Sequence, residues 1–146
     1  TITLSDPMNK IANISSTFEI PDYAKSIADE IYINLNLEKL IENSLIDTAK
    51  RKIAVENDYL YTINQVHTLT IPEGYTTEYV PANVSISNDV LDFSIAYKKS
   101  PAEISATQKL VIKKLYIEPK DFKTWNDACH AISPAYKEQV VLKKKS

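Results

Sequence analysis

The chain is poor in the residues from which many active sites are built. Among 146 residues there is one glycine, one cysteine, one arginine, one tryptophan and two histidines. The scarcity of glycine excludes the two common nucleotide-binding loops. Rossmann and P-loop sites need several glycines so that backbone can approach phosphate. A single cysteine, Cys129, excludes an intrachain disulfide. Two histidines, His67 and His130, without HxxxH or HxH spacing and without a second cysteine, leave no zinc motif. No Asp-rich calcium loop is present. No apolar run approaches the roughly 20 residues of a transmembrane helix. The chain starts Thr1-Ile2-Thr3-Leu4 without methionine or a signal-peptide pattern, as expected of a mature or excised fragment.

What is present describes an ordinary globular chain. Hydrophobic residues make up 44% and charged residues 25%, which suits a single domain over residues 1–146 that buries roughly two-thirds of its unfolded surface. The net charge of -2 creates no field to attract nucleic acid or an anionic membrane. The densest basic run, Lys143-Lys144-Lys145, reads as a solvated end.

Period-two patterning dominates. Ile14, Ser16, Phe18 and Ile20 fall on one face, predicting a half-buried strand. Ile31, Ile33, Leu35 and Leu37 alternate with Tyr32, Asn34 and Asn36, predicting a strand from Glu30 to Leu37. Lys39 to Lys52 is compatible with a short helical turn or a long loop. Residues 55–71 alternate for longer than the usual ~5–6 residues, so a bend or bulge is expected near Gln65-Val66-His67. Pro72 and Gly74 suit positions i+1 and i+3 of a type I turn. Val84 to Tyr97 reads as a hairpin turning at Asn88-Asp89, with Asp89 shaping the turn. Ile104 to Ile117 reads as a strand with a bulge at Lys113-Lys114.

Phe122, Trp125, Cys129 and Ile132 then recur at three and four residues, predicting a C-terminal helix within about 119–138. Pro119 belongs in its first turn, and Pro134 ends or kinks it. Val140 to Leu142 forms a last strand. About eight strands, one helix and no βαβ alternation predict a mainly β fold. The form expected is an antiparallel β-sandwich, immunoglobulin-like or similar, with the helix at an end or edge.

No catalytic, cofactor-binding or metal-binding residue emerges. Cys129-His130 suggests a nucleophile and base, but helix neighbours point about 100° apart. The thiol belongs to the apolar stripe, and His130 faces outward. His67 reads as a surface-strand residue. Arg51, the only arginine, suits a bidentate internal salt bridge. Tyr59, Tyr61, Tyr75, Tyr79 and Tyr97 lie in sheet segments. Such tyrosines either pack a core edge or form an exposed partner- or sugar-stacking face. Asn13-Ile14-Ser15 and Asn83-Val84-Ser85 match a glycosylation sequon, and Asp47-Thr48-Ala49 resembles a bacterial acceptor pattern; such short patterns recur by chance.

Several stretches taken in order carry a resemblance. They are Lys50-Arg51, Ile71-Pro72-Glu73-Gly74-Tyr75 with Tyr79-Val80-Pro81, and Asn88-Asp89 with Phe93 and Tyr97. Leu115-Tyr116-Ile117-Glu118-Pro119-Lys120-Asp121-Phe122 and Tyr136-Lys137-Glu138-Gln139-Val140-Val141-Leu142 follow. Over roughly residues 30 to 144 the chain resembles the C-terminal β domain, of unknown function, of bacterial transglutaminase-like multi-domain proteins. The resemblance implies an extracytoplasmic setting, periplasmic or at the cell envelope. It implies a non-catalytic accessory role after a papain-like core, with the upstream domains of the same polypeptide as partners. Cys129 matches no nucleophile motif of that core, so no catalytic residue carries over. The alternative is a carbohydrate- or peptide-binding module using exposed sheet tyrosines. No nucleic-acid partner, membrane insertion or cofactor is expected.

Overall fold

A computed structural model describes residues 2–6 and 11–145. The strands are β1 (Ile2–Asp6), β2 (Ile11–Ile14), β3 (Lys25–Ile27), β4 (Glu30–Ile33), β5 (Val55–Glu56) and β6 (Thr62–Thr70). They continue with β7 (Tyr75–Tyr79), β8 (Val84–Ser87), β9 (Leu91–Lys99), β10 (Glu103–Ile112), β11 (Tyr116–Ile117) and β12 (Val140–Lys144). One helix, α1 (Phe122–Ile132), sits between β11 and β12, flanked by short 3-10 turns at Pro119–Asp121 and Ala135–Lys137.

Two four-stranded antiparallel sheets make the body of the fold. The long sheet has the order β6-β10-β9-β8, and the short sheet the order β3-β4-β12-β7. The predicted mainly β sandwich with a C-terminal helix is what forms. Alternation sets the inner face of the long sheet. Leu91, Phe93 and Ile95 of β9 and Ile104, Ala106, Leu110 and Ile112 of β10 point inward and are buried.

Two different partners cover that face. At one end, Ile104 and Ala106 pack with Ile33, Val140 and Leu142 of the short sheet. At the other, Phe93, Leu110 and Ile112 pack with Phe122, Trp125, Cys129 and Ile132 of α1 and with Tyr136. The helical spacing of those residues is the reason α1 buries one stripe. Asp121 holds its entry, accepting from the Lys114 ammonium at 2.7 Å and from the Glu118 N–H at 3.2 Å. The Lys114 ammonium, and secondarily that N–H, keep the Asp121 carboxyl below the usual carboxylate range against the cost of burial.

Several expectations are corrected. Residues 15–20 form no strand; Ile14 and Phe18 are 73% and 71% exposed. The segment has the alternation of a strand but, among the described residues, no neighbouring strand to pair with. Residues 7–10, between β1 and β2, lie outside those described. The strand from Glu30 stops at Ile33 because Asn34 leaves the ladder. Its Oδ1 accepts from the Asn36 N–H at 2.8 Å and its Nδ2 donates to the Tyr136 carbonyl at 2.8 Å. Lys39 to Lys52 is a loop of turns, pinned where Asn126 bonds both the N–H and the carbonyl of Ile46 at 2.9 Å.

No bulge interrupts β6, whose register against β10 is continuous from Thr62 to Thr70; the irregular stretch lies before it, between β5 and β6. The expected bulge at Lys113-Lys114 is a break between β10 and β11. There Lys113 turns to Asp92 at 2.5 Å and Lys114 to Asp121, and Ile117 pairs with Val55. In the turn before β7 the Tyr75 N–H donates to the Pro72 carbonyl at 3.1 Å. Pro72 therefore holds position i, and Gly74, at φ +83°, holds i+2, where a type II turn needs positive φ. At the β8–β9 turn Asn88, not Asp89, is the organiser; its Oδ1 accepts from the N–H of Val90 at 2.8 Å and of Leu91 at 2.9 Å. The helix predicted within 119–138 is three pieces, because Pro134 cannot continue the ladder of α1.

Candidate functional site

The inner face of the long sheet is not apolar throughout. Between its two apolar clusters runs a polar seam formed by the segment 34–38, which crosses the sheet after β4. Gln108 of β10 is buried there, and its Nε2 donates to the Glu38 carbonyl at 3.1 Å and to Gln65 Oε1 at 2.7 Å. Gln65 in turn donates to the Glu38 carboxylate. Asn36, also buried, donates to the Tyr97 hydroxyl oxygen at 3.2 Å and to the Ala135 carbonyl at 3.3 Å. Among the described residues, Gln108 Oε1 has no hydrogen-bond partner. The seam ties sheet, strap and C-terminal turn together. Apart from that Gln108 oxygen its groups are engaged with one another and with backbone, so its reading is structural.

Cys129 and His130 part as helix geometry requires. Cys129 is buried among the residues packed on the long sheet, and His130 is exposed. Burial pushes the thiol up to about 11, so the thiolate needed for attack is disfavoured at neutral pH. Both residues border a cavity of about 260 Å³ between α1 and the loop at Ile41, together with Ser133 and Tyr136. The Tyr136 hydroxyl is buried with no hydrogen-bond partner among the described residues. Burial pushes it up to about 12, the backbone of Ile41 and Leu40 pulling the other way. Nothing here pairs a nucleophile with a base.

Among the described residues Arg51 makes no salt bridge. Its Nε donates to the Ile53 carbonyl at 3.2 Å and an Nη to the Ala54 carbonyl at 3.0 Å, closing its own loop from an exposed position. His67, read as a surface residue, lies on the inner, half-buried side of β6 opposite Ala106. Among the described residues, no group of three or more His, Cys, Asp or Glu is placed to hold a metal ion. No helix there is long and apolar enough to cross a membrane, which says nothing of a β-barrel.

The sheet tyrosines do not form one row. Tyr75 and Tyr97 pack against the core. Three others spend their hydroxyls on glutamates: Tyr32 on Glu30 at 2.5 Å, Tyr79 on Glu138 at 3.1 Å and Tyr116 on Glu56 at 3.0 Å. Each of these phenols is raised chiefly by that carboxylate acceptor. Tyr59 differs. It is 66% exposed and stands edge-to-face with Tyr61, ring centroids 5.7 Å apart. The two rings line an open notch of about 520 Å³ with Glu56, Asn57, Asp58, Thr62 and Ile63. The notch is lined by two carboxylates and no cation, and the two rings form one wall. Sequence reasoning named both tyrosines but not the acids; their i, i+2 spacing before Tyr59 is the signal that was available.

Residues 29–142 match a family model, DUF3858, described as "Domain of Unknown Function with solved-structure structure". The chain belongs to the DUF3858 family. No curated protein and no solved structure matches the chain. The DUF3858 match begins at the residue before β4 and ends inside β12, so it takes in the long sheet, the seam, α1 and the notch. Outside it lie β1, β2, β3 and the exposed residues Ile14, Phe18, Ile20 and Ile27.

Proposed function

We propose that this DUF3858 chain is a non-catalytic accessory domain of a transglutaminase-like protein in an extracytoplasmic setting, and that it packs against and positions an adjoining catalytic domain. One observation carries the reading. Ahead of the family domain, Ile14, Phe18, Ile20 and Ile27 hold large apolar side chains in solvent. A run of this kind asks for a covering surface, and the adjoining domain supplies it. The chemistry of the interior supports the same role. The lone thiol is held protonated, and the buried amides of Asn36 and Gln108 donate within the fold.

The test compares amide exchange in the chain alone and in the chain joined to its catalytic domain. Exchange over residues 14–27 should slow in the joined protein, and Phe18→Ser with Ile20→Ser should restore it. Unchanged exchange in that stretch would overturn the reading. So would amide hydrolysis by the isolated chain that disappears in Cys129→Ala.

The notch favours a second reading, a carbohydrate- or peptide-binding module. A ring with an uncommitted face beside carboxylate acceptors suits stacking combined with hydrogen bonding to hydroxyls. Saturable binding of a soluble glycan that Tyr59→Ala abolishes would support it. Absence of binding across glycans and short peptides would remove it.

A further inference from the structure

β6 stands at the edge of the long sheet and is nine residues long, against four for β8, three for β3 and five for β7 at the other edges of the two four-stranded sheets. Proteins usually protect such an edge with charge, proline, a bulge or a covering segment. β6 reads Thr-Ile-Asn-Gln-Val-His-Thr-Leu-Thr, with no proline, no Lys, Arg, Asp or Glu, and no bulge against β10.

The direction of its backbone groups follows from the bonds at its two ends. The Ile112 N–H donates to the Tyr61 carbonyl at 3.0 Å, and the Ile71 N–H donates to the Ala102 carbonyl at 2.9 Å. Odd-numbered residues therefore bond toward β10. By alternation, Thr62, Asn64, Val66, Thr68 and Thr70 aim their N–H and C=O groups away from it. Among the described residues no backbone hydrogen bond engages that side.

The sequence of β6 says what fits there. Turned antiparallel about Val66, the strand meets itself as Thr62 with Thr70, Ile63 with Leu69, Asn64 with Thr68, Gln65 with His67, and Val66 with Val66. On the inner side Ile63 faces Leu69 and Gln65 faces His67; on the outer side hydroxyls and amides face each other around the central Val66 pair, and every outward backbone group finds a partner. We propose that β6 pairs with β6 of a second copy about a two-fold axis through Val66, joining two long sheets into one. The interface is isologous, as a closed dimer requires. Val66, 64% exposed on the outer face, meets its copy on the axis. On the outer face one strand further in, Lys109 beside Asn64 shares its row with Ser105 of the other copy, and Glu103 beside Thr70 shares its row with Val111, so no like charges share those rows.

Sedimentation of the whole 146-residue chain over a wide concentration range tests the pairing. A monomer–dimer equilibrium is expected. Val66→Lys places two ammonium groups on the axis and should weaken dimerisation by roughly tenfold or more, with the circular dichroism and melting of the monomer retained. In a Cys129→Ala background, Val66→Cys should oxidise to a covalent dimer, because bonded antiparallel partners have Cα atoms about 5.5 Å apart, within disulfide reach. Thr68→Cys should not, since Thr68 faces Asn64 of the copy. A chain that stays monomeric throughout overturns the proposal, and that is also what an edge reserved for a different protein would give. A dimer indifferent to Val66→Lys overturns it too, as does one cross-linked equally by either cysteine.

Discussion

The helix-covered half and the sheet-covered half of the long sheet are built from the same strands and closed by different means. Under α1 the core is large and aromatic, with Phe93 edge-to-face on Tyr136 at 5.7 Å and Trp125 donating to the Ser44 carbonyl at 2.6 Å. Under the short sheet it is smaller and aliphatic: Ile33, Leu35, Ile104, Val140 and Leu142 with Ala106. Helix ridges accept rings of different shapes. Two facing sheets hold a gap of about 10 Å that branched aliphatics fill. The polar seam runs between the halves, so each core is nearly closed on its own.

Substitutions that remove one anchor from each half should break this contrast most strongly. Phe93→Ala is expected to cost about 3–5 kcal/mol and Leu142→Ala about 2–5 kcal/mol, measured by urea unfolding. If the halves are as separate as the seam suggests, the two losses should add in the double variant within about 0.5 kcal/mol. Next is the seam itself. Asn36→Ala takes the amide donor from the Tyr97 hydroxyl and one of two donors from the Ala135 carbonyl, an expected loss of about 1–3 kcal/mol.

Alkaline pH should then distinguish the halves without mutation. Cys129 and Tyr136 both sit under α1, with folded-state values raised by burial to about 11 and about 12. Groups raised in the folded state contribute stability that is fully present below their unfolded values. That stability is lost as pH rises through the folded ones. Melting temperature should fall between about pH 9 and 12, and amide exchange should quicken in α1 before β4 and β12. The smallest effect is expected at Arg51. Arg51→Ala frees two exposed carbonyls to water and should cost no more than about 0.5 kcal/mol.

What was legible in the sequence follows from which signals are local. The stripe of Phe122, Trp125, Cys129 and Ile132 and the hairpin at Asn88 depend on neighbours in sequence, and both are found. The class of fold was legible for the same reason, since period two repeats along most of the chain. The ends of strands were not. Asn34 stops β4 by bonding to Tyr136, 102 residues away, and Lys113 ends β10 by reaching Asp92. The alternation that runs on from Ile14 through Phe18 and Ile20 is as clear as that of β6, yet past Ile14, which ends β2, no strand lies beside it among the described residues. The notch was half legible, since its acids and rings are adjacent in sequence but their recess depends on how residues 57–61 bend. The roles of Arg51 and His67 depended on carbonyls and a sheet face that composition does not report.

The position of β12 has a consequence for how the protein is made. It lies between β4 and β7, pairing Val140 with Ile33 and Lys143 with Glu30. On the ribosome β4 emerges early beside the short β3 and waits for roughly a hundred further residues before its second partner exists. The long sheet closes sooner, since β8, β9 and β10 follow one another directly. A chain interrupted before Val140 would leave β4 and β7 without the strand that joins them, and Ile33 and Ile104 open to water. A nascent chain in that state is a substrate for chaperones until its final strand arrives.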